Sequence, residues 1–338
     1  MNTNKILILR LSSIGDIILS TFFIRQVANA FPEYQIDFVI KKQFENLLLD
    51  NPYLKKILCL YPEKGITQLI KLKKEIKNSN YKYIFDLHNN IRTRILLLGL
   101  IKSRIWRIKK EKFKRVLLVY LKWNRYKKIK PIPIRYLDVG REAGVVDDEK
   151  GLELFWENNA EEKLKKKYPV LLDDPYFVLA PGAGFYSKKW PIEYFMELVE
   201  MLTQNRKEKI IILGGYSDMD DGNELNLNNS VINLTGKLEL IESAIVLKNA
   251  KVLVSNDSGL MHMATAVNTP VLAIFGSTVE ELGFFPFRNK HCIIQNTKLN
   301  CRPCSHIGKD YCPKGHFRCM VEIEPVMVYD ELFKLIDT

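Results

Sequence analysis

Residues 252–276 read V-L-V-S-N-D-S-G-L-M-H-M-A-T-A-V-N-T-P-V-L-A-I-F-G, and this stretch decides the fold class. Residues 252–254 form an apolar run of the kind that makes a buried strand, and Asn256, Asp257, Ser258 and Gly259 make a polar turn. Residues 260–267 have helical composition, Pro270 ends them, and residues 271–275 read as a second buried strand. The helix therefore opens at a serine and a glycine. Its first amides have no intrahelical partner, and the macrodipole adds partial positive charge there. Two readings of the turn are open. It is a site for a phosphate or diphosphate, or Asp257 or Ser258 merely caps an ordinary connection.

Outward from this unit the alternation of strand and helix recurs. Residues 5–9, 35–40 and 82–87 read as strands, with a helix over residues 17–30 ended near Pro32. A second series follows: strand 176–180, helix 192–202, strands 209–213 and 231–233, and helix 240–249. The reading is α/β, with two Rossmann-like doubly wound domains facing across a cleft. A chain of 338 residues suits two domains. The boundary is expected in the charged stretch 145–174 or just after it, which gives domains 1–165 and 166–338, the second with a C-terminal helix.

No apolar run approaches the ~20 residues of a membrane span. The chain enters a strand directly, without a leader-like apolar segment, so a cytoplasmic protein is expected. In that compartment the six cysteines stay reduced by default. The formal net charge is +12, and it is localised. Residues 101–130 hold thirteen Lys or Arg and one acid, Glu111, so the rest of the chain is formally neutral. Trp106, Phe113, Val116, Tyr120 and Trp123 are interleaved with these charges. Such a mixture suits an anionic membrane surface or an anionic lipid-linked substrate. A lysine-rich composition without functional cause is the alternative, and no nucleic-acid recognition motif accompanies the charge.

Four turns could carry chemistry. In Arg10-Leu-Ser-Ser-Ile-Gly-Asp16, Asp16 begins a helix whose dipole favours its ionised form, and a positioned carboxylate is what attack by a sugar hydroxyl needs as general base. A helix-capping acid is the plain alternative. In Ala180-Pro-Gly-Ala-Gly-Phe-Tyr-Ser-Lys-Lys-Trp-Pro191, small residues let backbone amides meet a phosphate that Lys188 or Lys189 neutralises. The spacing is not that of a Walker loop, and no G-x-G-x-x-G opens a helix. After a further strand, Gly214-Gly-Tyr-Ser-Asp218 places an acid where nucleotide folds bind ribose hydroxyls. Lastly, Cys301, Cys304, Cys312 and Cys319, with His306 and His316 among them, could ligate a structural zinc or form a reduced loop.

Taken together, these motifs resemble the bacterial heptosyltransferases, glycosyltransferase family 9 of lipopolysaccharide core assembly. The resemblance rests on R-L-S-S-I-G-D, P-G-A-G-x3-K-x-W-P, S-N-D-S-G-L-M-H-x-A-T-A and the C-terminal cysteine pattern, and it covers nearly the whole chain. It implies a GT-B architecture and inverting transfer of L-glycero-D-manno-heptose from an ADP-sugar to a growing core. Asp16 would then be the general base, with Ser12, Ser13 and Gly15 shaping its turn on the acceptor side. Lys188, Asp257, Ser258, Gly259 and His262 would meet the donor, with Asp218 near the ribose and Leu238 against the adenine. Where some members carry hydroxyl residues, this chain has Ala183 and Gly184, so phosphate contacts there would come from the amides of Gly182 and Gly184. No cofactor is required in principle. The implied partners are a nucleotide-sugar donor and an anionic lipid-linked saccharide acceptor, with residues 101–130 touching the inner-membrane surface; nothing sets an oligomeric state. Runners-up are a relative with another nucleotide-sugar, an epimerase on the same scaffold, and a non-catalytic nucleotide-sugar or lipid-binding protein.

Overall fold

In the computed structural model, which describes residues 4–169, 171 and 174–337, the strands form two parallel sheets. The first contains β1 (Lys5–Leu9), β2 (Gln35–Lys41), β3 (Leu54–Leu60), β4 (Tyr83–Asp86) and β5 (Arg104–Arg107) in the order β3-β2-β1-β4-β5. Helices α1 (Ile14–Ala30), α2 (Gly65–Asn78) and α3 (Ile91–Leu97) connect them, followed by α4 (Lys112–Leu121), α5 (Ile132–Gly140) and α6 (Ala160–Lys167). Ile6, Leu7, Ile8 and Leu9 are fully buried, as expected of a central parallel strand covered on both faces. Each such side chain contributes about 1.5–3 kcal/mol relative to exposure.

The second sheet contains β6 (Tyr176–Ala180), β7 (Lys209–Ile212), β8 (Val231–Asn233), β9 (Val252–Asn256), β10 (Val271–Phe275) and β11 (His291–Gln295). Its order is β11-β10-β9-β6-β7-β8, again parallel throughout. The connecting helices are α7 (Ile192–Asn205), α8 (Met219–Glu224), α9 (Leu240–Lys248) and α10 (Gly259–Ala266). After β11 come a short α11 (Arg318–Val321) and the C-terminal α12 (Pro325–Asp337), whose Val328, Leu332 and Leu335 join the core of this sheet. In each sheet the winding direction reverses once, between β1 and β4 and between β6 and β9. Ligands of doubly wound sheets bind beyond the carboxyl ends of the strands at these reversals.

The chain divides into two compact units that are not contiguous in sequence: residues 1–110 with 132–157, and residues 111–131 with 158–338. The passage after residue 157 precedes the expected one at 165, because α6 packs on α9 of the second unit. Val170, Leu172 and Asp173, inside the expected boundary stretch, lie outside the described residues. The basic segment also divides. Its first part forms β5 of the first sheet, while residues 111–131, including α4, belong with the second unit rather than the first. There, the Nζ of Lys122 donates to the carbonyls of Cys301 at 3.0 Å and Pro303 at 2.6 Å, and Asn124 donates to Glu281 at 3.0 Å. Among the described residues no helix is long and apolar enough to cross a membrane.

Candidate active site

In the first unit the turns after β1 and β4 flank the winding reversal. Asp16 is the third residue of α1 and does what a helix-start acid does, since its Oδ2 accepts the backbone N–H of Ser13 at 3.2 Å. It does more as well. The same oxygen accepts the Ser13 hydroxyl at 3.1 Å and pairs with the Arg10 guanidinium at 2.6 Å. Burial alone would push the Asp16 carboxyl up. The Arg10 charge and the Ser13 hydrogen bonds outweigh that, and the group lies below the usual carboxylate range. Its other oxygen, Oδ1, carries among the described residues a single long bond, from the Tyr136 hydroxyl at 3.3 Å. Oδ1 is therefore the more lightly engaged of the two oxygens.

Arg10 ties the two turns together. Its Nε donates to the carbonyl of Ser12 at 2.9 Å and its Nη1 to the carbonyl of Leu87, just past β4, at 2.8 Å. Asp86 ends β4 fully buried and accepts from the amides of His88 and Asn89 and from the Thr93 hydroxyl, which fixes the second turn. His88 stands there with its Nδ1 buried and without a hydrogen-bond partner among the described residues. Burial first, then the charges of Arg10 and Lys110, push its imidazole down to about 3, so it is neutral at physiological pH.

In the second unit the reversal lies between the turns after β6 and β9, and one buried residue joins them. Asn256, the last residue of β9, donates from its amide to the carbonyl of Pro181 at 2.6 Å and accepts the Trp190 amide at 3.0 Å. That holds the glycine loop beside the N-terminus of α10, whose N-cap is Ser258. Lys188 and Asp257 are ion-paired at 2.7 Å, and the Thr278 hydroxyl donates to the same Asp257 oxygen at 2.7 Å. A carboxylate so placed anchors the Lys188 ammonium. His262 is buried in α10, near the ring of Phe284.

Asp218 sits over the glycine turns. A Cβ on Gly182 would come within 2.4 Å of its carboxylate carbon, and one on Gly214 within 2.8 Å of its Cβ, so both positions need glycine. Its Oδ2 accepts the Gly215 amide at 2.8 Å, and burial, partly offset by that bond, raises its pKa. Gly184 is different: a side chain there would meet open space. Leu238 is half-buried in the turn beyond β8.

The structure thus gathers Lys188, Asp257, Ser258 and Gly259 around one reversal and Ser12, Ser13, Gly15 and Asp16 around the other. Sequence reasoning missed Arg10 as a partner of Asp16, and it missed Tyr136, Asn256 and Thr278. Arg10 lay inside the quoted motif. Thr278 had a weaker signal, a small polar pair following β10 at its carboxyl end.

The cysteine loop does not fit the zinc alternative. Cys301, Cys304, Cys312 and Cys319 are free thiols, and among the described residues no three His, Cys, Asp or Glu side chains gather at metal-binding distance. A structural zinc needs four such ligands at about 2.0–2.3 Å. Cys301 Sγ lies 3.9 Å from His316 Nε2, and burial pushes the Cys319 thiol up to about 12. The loop is held instead by hydrogen bonds to the turns beside it.

The chain is similar to known proteins over nearly its whole length. The profile of glycosyltransferase family 9 (heptosyltransferase) matches residues 69–314. Lipooligosaccharide heptosyltransferase 2 of Haemophilus influenzae is 27% identical over 354 residues, covering 98% of this chain and 99% of that protein. Among solved structures, ADP-heptose lipopolysaccharide heptosyltransferase II of Escherichia coli superposes with a TM-score of 0.75 at 21% identity, covering 98% of both chains. A family 9 glycosyltransferase from Veillonella parvula superposes with a TM-score of 0.81 at 18% identity, covering 99% of this chain and 98% of its own. The fold is that of the GT-B glycosyltransferases. With the profile spanning most of its length and relatives matching it end to end, this chain belongs to glycosyltransferase family 9, the heptosyltransferases.

Proposed function

We propose that this glycosyltransferase transfers heptose, with inversion, from ADP-L-glycero-D-manno-heptose to the inner core of lipopolysaccharide. The observation that carries the reading is Asp16, an ionised carboxylate held by Arg10 and Ser13 with Oδ1 lightly engaged. An acceptor hydroxyl gives its proton to Oδ1 as its oxygen bonds to the anomeric carbon. The bond from that carbon to the donor phosphate breaks on the opposite face, and ADP leaves with the electron pair. A low pKa makes Asp16 a modest base, but one that is fully ionised and fixed in place.

The departing diphosphate charge falls to the first amides of α10, at Ser258 and Gly259, to the amides of Gly182 and Gly184, and to Lys188. Asp257 orients Lys188. These groups supply the positive charge the leaving group needs, so no cofactor enters the scheme. Asp218 is assigned to the ribose, Leu238 to the adenine, His262 to the inner wall of the donor site, and Ser12, Ser13 and Gly15 to the acceptor turn. A relative that uses a different nucleotide-sugar would keep the same chemistry. We further assign residues 101–130 to contact with the anionic surface bearing the acceptor, on the cytoplasmic face of the inner membrane. The exposed Phe113, Tyr120 and Trp123 beside Lys and Arg support that reading.

Asp16→Asn tests the assignment, with ADP release and transfer to a lipid-linked acceptor as readouts. Turnover should fall by about 10²–10⁴, with ADP binding unchanged within about twofold. Turnover near the starting level would remove Asp16 from the role of base.

A further inference from the structure

The cysteine loop, unused by the chemistry above, grips the turn that carries Lys188 and the turn after β10. Its Ser187 contacts are reciprocal: the Lys309 amide donates to the Ser187 hydroxyl at 2.8 Å, and the Ser187 amide donates to the Lys309 carbonyl at 2.9 Å. Ser187 also donates to Ser277 at 3.0 Å and immediately precedes Lys188. The Cys304 amide donates to the Ser277 carbonyl at 3.2 Å. Gly308, at φ +117°, has the Phe185 ring within 2.7 Å of where a Cβ would lie. The loop is seated against this turn without room for a side chain.

At its centre is Arg302. The guanidinium donates to the carbonyls of Gly276 and Asn296, to Phe275 at 3.1 Å, to Thr278 at 2.8 Å, and to the Gln295 side chain at 3.0 Å. Its hydrogen-bond acceptors are four carbonyls and one side-chain amide, and among the described residues it has no carboxylate at ion-pair distance. Burial lowers the Arg302 pKa and outweighs the opposing influence of the nearby thiols and the Glu281 charge. Burying an ion is costly unless hydrogen bonds compensate it, and these five bonds do so here. What this geometry fixes is the backbone at the carboxyl ends of β10 and β11, including Thr278.

We propose that Arg302 is a positioning residue of the donor-diphosphate site, acting through Thr278 and Asp257 on Lys188. Each link is a direct contact: Arg302 to the Thr278 carbonyl, Thr278 hydroxyl to Asp257, Asp257 to Lys188. Asp257 Oδ2 receives both Thr278 and Lys188, so a shift of Thr278 leaves Lys188 with a differently placed anchor. The inference rests on the assignment of Lys188 to the donor diphosphate. Lysine cannot replace Arg302, because three donors on a flexible stem do not span five acceptors fixed in one fork.

The test is ADP binding to the full chain, measured by titration calorimetry for Lys188→Met, Thr278→Val, Thr278→Ser, Arg302→Lys and the double variant Thr278→Val with Lys188→Met. Thr278→Val and Arg302→Lys should each raise the ADP Kd about three- to tenfold. Thr278→Ser, which keeps the hydroxyl, should restore it to within about twofold. In the double variant the Thr278 change should add nothing to the loss from Lys188→Met. Additive losses, or unchanged Kd in Thr278→Val and Arg302→Lys, would overturn the relay. If Lys188→Met itself binds ADP normally, the donor-site assignment fails instead, and the relay falls with it. Thr278→Val keeps the side-chain shape, so it reports on the relay even if Arg302→Lys does not fold.

Discussion

Asp16 meets two demands with one carboxylate: Oδ2 closes the start of α1 and pairs with Arg10, while Oδ1 faces Tyr136. The capping and catalytic readings of this residue are therefore not rivals. His88 provides a second test at this scale. Its folded pKa of about 3 lies below the ordinary value of 6.5, so between these values the unfolded chain binds more protons than the folded one. Its contribution to stability is complete above pH 6.5 and declines as pH falls, by at most roughly 1.4 kcal/mol per pH unit. His88→Gln should thus flatten the loss of stability between pH 6.5 and 4.5 in denaturant melts; parallel curves for the two proteins would show that the imidazole is not held neutral. Asp16, Lys188, Asp257 and Ser258 were legible as residue types in turns after strands. The pairing of Lys188 with Asp257 was not, because it joins residues whose partnership exists only once β6 and β9 are neighbours.

Among the elements, α4 carries the sharpest asymmetry. Leu117, Leu118 and Val119 are buried, while Phe113, Val116, Tyr120 and Leu121 are exposed, and Trp123 extends that apolar surface past the helix end. Lys112, Lys114 and Arg115 border it. An apolar face rimmed by cations inserts shallowly into an anionic bilayer. The triple change Phe113→Ser, Tyr120→Ser and Trp123→Ser should lower binding to vesicles containing phosphatidylglycerol by about tenfold or more, without moving the melting temperature, because these side chains are solvent-exposed. Equal binding by both proteins would return the charge to a matter of composition. Sequence reading saw the mixture of residues here but not the helix. It also passed over β3, whose Lys55 and Lys56 are exposed and blur the apolar run. The strands it placed well, β1, β6 and β10, are buried along nearly their whole length.

For the whole molecule, two parallel sheets were readable because strand and helix signals alternate twice along the chain. Membership of the units was not, because residues 111–131 interrupt one unit and belong to the other. A fragment of residues 1–165 should therefore bind a hydrophobic dye through Leu117, Leu118 and Val119. A fragment of 1–157 with a Gly/Ser linker in place of 111–131 should bind little dye and melt cooperatively. The reverse result would return the segment to the first unit. The same interruption has a consequence for synthesis on the ribosome. Lys122 emerges 179 residues ahead of Cys301, whose carbonyl it will hold. At about 5–20 residues per second that interval lasts roughly 9–36 seconds. Throughout it, a cationic helix with apolar residues on both sides hangs from the nascent chain without its final seat. A chaperone or an anionic lipid surface that shelters the helix in that window would act before the rest of the second unit exists.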